Sequence, residues 1–242
     1  MHRPLLMVLT LLAASLAGCV SGEPPVLEVT VSETDTAVVE TYQNGVLVER
    51  AGATVFLDFS GTTSAVTYTV AVSDGRATIE ASADEGGMLN LTFDEHGVYN
   101  ITATAVDAKG RGTSQNLVVR VNLRIEWNEE ATQDPASLSF DPLPMHGGPM
   151  ADYITIESVV SNPDLIENLG GGREVDITWQ LIDPLGGACQ QHTDVVHEGA
   201  SAAWNTLHFN TYEAHELAVQ YDEGQDELDV LHTVIVVYEA PA

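Results

Sequence analysis

The chain has 242 residues, with 36 Asp plus Glu against 8 Lys plus Arg and a formal net charge of -28. Phosphate contact needs clustered Lys and Arg, so this balance excludes a nucleic-acid partner and docking on anionic headgroups. Apolar residues make up 44% of the chain and fall in regular alternating runs, which excludes disorder, and the length accommodates two ordinary domains. Two readings of the acidity stay open. Self-repulsion is screened in high salt, where an acidic, lysine-poor surface stays hydrated, and Lys109 is the sole lysine. Carboxylates also ligate calcium.

At the N-terminus, His2 and Arg3 precede an apolar run from Leu5 to Ala14 that is too short for a span of about 20 residues. A weakly basic start, a short apolar stretch and small residues make the pattern of a cleaved signal peptide. The end of this stretch, Leu16-Ala17-Gly18-Cys19, resembles the lipobox of prokaryotic lipoproteins. That resemblance implies cleavage after residue 18 and lipidation of Cys19, with a diacylglyceryl anchor holding the protein to the extracytoplasmic face of the membrane. An ordinary signal peptide that releases the protein is the other reading. Residues 1–18 are thus expected to be the signal and 19–25 a tether.

Period-2 segments then follow in order: "VLEVTV" (26–31), "TVFLDFS" (54–60), "VTYTVAV" (66–72) with the turn Ser73-Asp74-Gly75, "ATIEAS", "MLNLTF", "VYNITATAV" and "NLVVRVNL". Short β-branched runs separated by Gly and Asp turns predict an antiparallel β-sandwich over residues 26–122. "GVYNITATAVDAKGRGTS" (97–114) resembles the last hairpin of PKD domains and related Ig-like surface modules, and "VFLDFSGT" (55–62) is similar to an earlier strand of theirs. The resemblance covers roughly residues 50–121 and implies an Ig-like sandwich serving at a cell surface.

Residues 123–242 repeat the plan in degraded form. "VTYTVAVSDG" (66–75) can be laid beside "VDITWQLIDP" (175–184), "LTF" (91–93) beside "LHF" (207–209), and both halves finish in an apolar strand. The chain is therefore expected to be all-β, with two tandem Ig-like or PKD-like sandwiches abutting near residue 123 and Trp179 in the core of the second. The Pro- and Gly-rich stretch 131–152 reads as a long loop and a place for a partner.

Candidate chemistry concentrates in the second half. His192, His197, His208, His215 and His232 crowd into residues 192–232, and Cys189 lies three residues before His192. Imidazole and thiolate in such density suit zinc or copper, so His192, His197, His208 and His215 are candidate ligands. Alternation with Leu207 and Phe209 instead points His208 outward. No methionine follows Cys189, which argues against a blue-copper site with His146 as an upstream ligand. With Cys19 lipidated, Cys189 has no intramolecular partner. The acidic turn "YDEGQDELD" (221–229) offers Asp222, Asp226 and Asp229 to calcium, although its spacing is not that of an EF-hand.

The sequence contains no Gly-x-Ser-x-Gly elbow and no His-Glu-x-x-His, so no catalytic residue is assigned. Two sequons, at Asn90 and Asn100, are N-glycan acceptor candidates that alternation points outward. These readings converge on a non-catalytic binding, adhesion or spacer protein whose partners are the membrane, through a lipid anchor, and a protein or glycan at the cell surface. No cofactor is required. A metal-binding second domain or an accessory subunit of an envelope complex is the alternative.

Overall fold

A computed structural model describes residues 23–163 and 173–239. The expected signal peptide, Cys19 and most of the tether lie outside the described residues. The first half contributes β1 (Thr30–Val31), β2 (Asp35–Gln43), β3 (Val46–Ala51), β4 (Ala53–Asp58), β5 (Thr67–Val72), β6 (Ile79–Ser82), β7 (Met88–Phe93), β8 (Gly97–Val106) and β9 (Gly112–Thr132). The second contributes β10 (Leu138–Phe140), β11 (Tyr153–Asn162), β12 (Glu174–Ile182), β13 (Ala188–His197), β14 (Ala200–His208), β15 (His215–Glu223) and β16 (Leu228–Val237). The protein is all-β, two sandwiches in tandem whose strand pairs are antiparallel except that of β2 with β9.

Alternation builds each core. Val55 and Leu57 of β4, Val70 of β5, Leu91 and Phe93 of β7, and Tyr99 and Ile101 of β8 point inward between the sheet β1-β4-β7 and the sheet that carries β5, β8 and β9. In the second half Ile154 and Ile156 of β11 face Ile177, Trp179 and Leu181 of β12, while β10, β15, β12 and β13 form the opposite sheet. Trp179 is fully buried on its central strand, as its place in the repeat predicts. Its indole N–H donates to Ser158 Oγ at 2.7 Å, and the same oxygen lies 2.8 Å from His232 Nδ1. That satisfies the polar edge of a ring whose apolar burial is worth several kcal/mol, about 3–5 by truncation.

Both halves share one strand. β9 runs 21 residues through position 123, and β8 pairs its first part (112–121) while β16 pairs its second (123–132). β2 lies parallel along the other side, over 120–128. β8 and β16 therefore sit end to end on one flank of β9, and the expected division near 123 falls inside a continuous strand. At about 3.3 Å per residue, β9 alone extends roughly 70 Å.

The seam between β8 and β16 is tied by side chains. His96 Nδ1 and Tyr238 Oη are 2.8 Å apart, Asn122 Oδ1 accepts from the Tyr238 amide at 2.9 Å, and Arg120 Nε donates to the Glu239 carbonyl at 3.0 Å. Burial holds His96 below the usual imidazole range and raises Tyr238. Residues 131–152, expected as a loop, lie mostly outside strands but are anchored at several points: β10 joins β15, Pro142 and Pro144 are buried, and the His146 ring stacks on Tyr99 at 4.2 Å. Gly97, at φ +143, leaves the space that His146 fills, since a Cβ there would come within 2.3 Å of its ring. The longest exposed run in this stretch is 147–150.

The hairpin β2–β3 has no counterpart among the expected strands. Asn44 and Gly45 both adopt positive φ, 47° and 79°, which is the two-residue hairpin turn that Asn-Gly favours.

Candidate functional site

The site takes shape at one end of the second sandwich, where β13, β14 and β15 begin or end. β14 runs along β11 with Trp204 inward, and the same parity four residues later carries His208 inward, opposite Ile154. His208 is 8% exposed, whereas its neighbours Leu207 and Phe209 are 50% and 68% exposed. The outward orientation expected from the flanking apolar residues is thus reversed. Pairing register, set by Trp204 and the β11 ladder, decides the face, and two apolar residues at the strand end are left in solvent.

His215 opens β15 opposite Phe140 and is 3% exposed. Its Nε2 lies 2.8 Å from the carbonyl of Asn210, which accepts its proton and leaves Nδ1 with the lone pair. The connection between the two histidines is held rigidly. Thr211 Oγ1 donates to the Ala151 carbonyl at 2.8 Å, Asn210 Oδ1 accepts from the Tyr212 amide, and Asn210 Nδ2 donates to Glu213 Oε1. The two imidazoles meet edge to face with centroids 4.7 Å apart.

Cys189 comes from the opposite edge. In the β12–β13 ladder Leu181 pairs with Gln190 and Ile182 with Ala188, so Cys189 is the extra residue of a β-bulge. Bulges re-aim a side chain. Gln190 next to it locks this position, donating from Nε2 to the Leu207 carbonyl at 3.0 Å and accepting from Thr206 Oγ1 at 2.8 Å. Cys189, His208 and His215 thereby offer one sulfur and two nitrogens, all within 4.8 Å of one another. His208 Nε2 and His215 Nδ1 are buried and have no hydrogen-bond partner among the described residues. Burial holds His208 below the usual imidazole range, and partial desolvation of the sulfur, with the carboxylates of Asp183 and Glu213, raises the thiol of Cys189, a residue otherwise exposed.

The other candidate ligands are placed apart from this group. His192 and His197 lie exposed on β13, His192 opposite Trp179 and His197 Nδ1 3.5 Å from Glu174. His232 is buried beside Ser158, and burial brings its pKa down to about 4. The structure does not gather Asp222, Asp226 and Asp229. Asp222 accepts from Thr178 Oγ1 at 2.6 Å, buried Asp226 pairs with Arg173 at 2.9 Å, and Asp229 caps the Ala131 amide at 2.9 Å. Asn90 on β7 and Asn100 on β8 are both exposed, with side chains on the solvent faces of their strands.

Sequence reasoning found His208 and His215 but grouped them with His192 and His197, because proximity in the chain stood in for proximity in space. The bulge that brings in Cys189 has a faint signal, the Asp183-Pro-Leu-Gly-Gly turn just before it. Asp183 Oδ1 accepts there from the Leu185 and Gly187 amides at 2.8 and 2.9 Å.

No protein-family model matches the chain, and no curated protein matches it. Among solved structures, the chain is similar to carbohydrate-binding modules from the β-sandwich superfamily, at 9% identity and TM-score 0.33, covering 86% of this chain and 96% of that one. It is similar to a protein of Bacillus endospore appendages at 13% identity and TM-score 0.27, over 49% and 88% of the two chains. It is also similar to SGBP-B of the Bacteroides ovatus mixed-linkage glucan utilization locus, solved in complex with a mixed-linkage heptasaccharide, at 15% identity and TM-score 0.23, over 84% and 53%. Likenesses this remote establish no residue-level correspondence, and function on such folds resides in individual sites.

Proposed function

We propose that the protein is a lipid-anchored, extracytoplasmic surface protein with a non-catalytic role in binding or spacing, its partner a protein or glycan at the cell surface. The observation that carries this reading is β9, which joins the two sandwiches through one unbroken 21-residue strand. A shared strand and a side-chain-tied seam make a stiff unit suited to holding loops at a distance from an attachment point. The Ig-like and PKD-like hairpin of 97–114 and the lipobox-like Leu16–Cys19 support the same setting. The net charge of -28 supports a surface kept hydrated and soluble in salt.

Fractionation of cells producing the wild type and Cys19→Ala tests it. The wild type is expected with the membranes and open to protease added outside, and the variant is expected free of membranes. A variant that stays with the membranes, or a wild type found in the cytosol, contradicts the anchor.

A further inference from the structure

We propose that Cys189, His208 and His215 form a binding site for a thiophilic d10 metal ion, zinc(II) or copper(I), held by one thiolate and two imidazoles at the end of the second sandwich. Three independent features of the site point to a ligand. His208 and His215 are each more than nine-tenths buried, each has a ring nitrogen without a hydrogen-bond partner among the described residues, and a ring nitrogen of each lies within 4.8 Å of the other's and of the Cys189 sulfur. An unmet buried polar atom costs about 1–3 kcal/mol, so two side by side are costly unless something occupies the space between them. The Asn210 carbonyl fixes His215 as the tautomer with a free Nδ1, which is the outer-shell arrangement of metal-bound histidines. The β13 bulge turns Cys189 out of strand alternation, and the Gln190 side chain pins that turn to β14.

The donors select the ion. One sulfur and two imidazoles suit zinc(II) and copper(I), whereas calcium and magnesium take oxygen sets. Zinc bonds of about 2.3 Å to sulfur and 2.0–2.1 Å to nitrogen put ligand atoms roughly 3.3–3.7 Å apart in a tetrahedron. The present spacing, within 4.8 Å, closes to that by about an ångström of side-chain movement, in which exposed Cys189 rotates toward the nitrogens and the two imidazoles shift toward each other. Binding requires loss of the thiol proton to solvent, so affinity rises with pH. Asp183 and Glu213 add negative charge close by, which draws in a cation and holds it. With three protein ligands and the sulfur at the surface, a fourth position stays open to water.

The test uses the purified, reduced, metal-stripped protein with zinc(II) alone, then copper(I) alone in a second arm. Stoichiometry is read by elemental analysis and the thermal midpoint by melting. One ion per chain is expected, with a midpoint that rises with metal concentration. Cys189→Ser, at an exposed position, should fold normally and lose at least about tenfold in affinity, as removal of a ligand or even of its support does. The double variant His192→Gln/His197→Gln should bind like the wild type. Cobalt(II) in place of zinc should show a thiolate charge-transfer band that is absent from Cys189→Ser. Absence of binding in both metal arms overturns the proposal, as does binding that survives in Cys189→Ser but is lost in the His192/His197 variant. None of these readouts depends on Cys19 or on membrane attachment.

Discussion

The two halves use one strand plan and close their ends differently. In each, the sequence of strands β4 to β8 and β11 to β15 repeats the same pairings: β4 with β7 and β11 with β14, β5 with β6 and β12 with β13, β5 with β8 and β12 with β15. At the end of β7 the first half places Phe93 against Tyr99, centroids 4.3 Å apart, with His146 stacked on Tyr99 and the Arg76 guanidinium 4.9 Å over the Phe93 ring. Arg76 is in turn paired with Asp74. At the matching end of β14 the second half has His208 and His215, with nitrogens that lack partners, and Cys189 beside them. One end is closed by aromatic packing around a single imidazole, His146, whose two ring nitrogens also lack partners among the described residues. The other brings two imidazoles with unpartnered nitrogens together with a thiol, and that convergence of ligand atoms is the composition of a site.

The largest expected effects come from breaking the apolar ends and centres. Phe93→Ala and Trp179→Ala should each lower unfolding free energy by about 3–5 kcal/mol in denaturant titrations. Acid should follow. His232 titrates near 4 when folded and about 6.5 when unfolded, so the unfolded chain binds more protons between those values. The contribution of His232 to stability is therefore full above pH 6.5 and is lost as the pH drops toward 4, by up to about 3 kcal/mol, with buried His96 acting in the same direction. Denaturant midpoints of His232→Gln measured from pH 7 to 4 should show a shallower slope than the wild type.

A smaller effect sharpens the contrast between the ends. His208→Leu removes a buried, unpartnered nitrogen, so the metal-free variant should stay within about 1 kcal/mol of wild type or gain stability, and should lose the zinc-dependent rise in midpoint. The equivalent loss of packing at Phe93 offers no such compensation. Smallest of all, Asn90→Gln and Asn100→Gln should change stability by less than about 0.5 kcal/mol, since both side chains are exposed. Loss of a mass increment on the protein from its native host in either variant identifies an occupied acceptor.

Where a strand's alternation is unbroken, the sequence is enough to place its residues. β8 alternates from Tyr99 to Ala105 and is buried on that parity, Trp179 sits at the centre of its sandwich, and Asn90 and Asn100 face solvent. The β2–β3 hairpin carries a turn signal in Asn44-Gly45, but its strands do not alternate and β3 is exposed along its whole length, so periodicity does not mark it. His208 was not readable from its neighbours, because Leu207 and Phe209 suggest the opposite face and only the register through Trp204 resolves it. The partnership of Cys189 with His208 and His215 depends on a one-residue bulge and on two sheets meeting at their ends, and neither leaves a periodic mark in the chain.

X-ray absorption at the zinc edge of the zinc-loaded wild-type protein tests the contrast between the ends most directly. One sulfur at about 2.3 Å with nitrogen or oxygen donors at about 2.0–2.1 Å, two of them showing imidazole scattering, is the predicted shell. A shell of oxygen and nitrogen without sulfur would contradict it, placing the ion on surface carboxylates and leaving the end of β14 an unfilled polar closure.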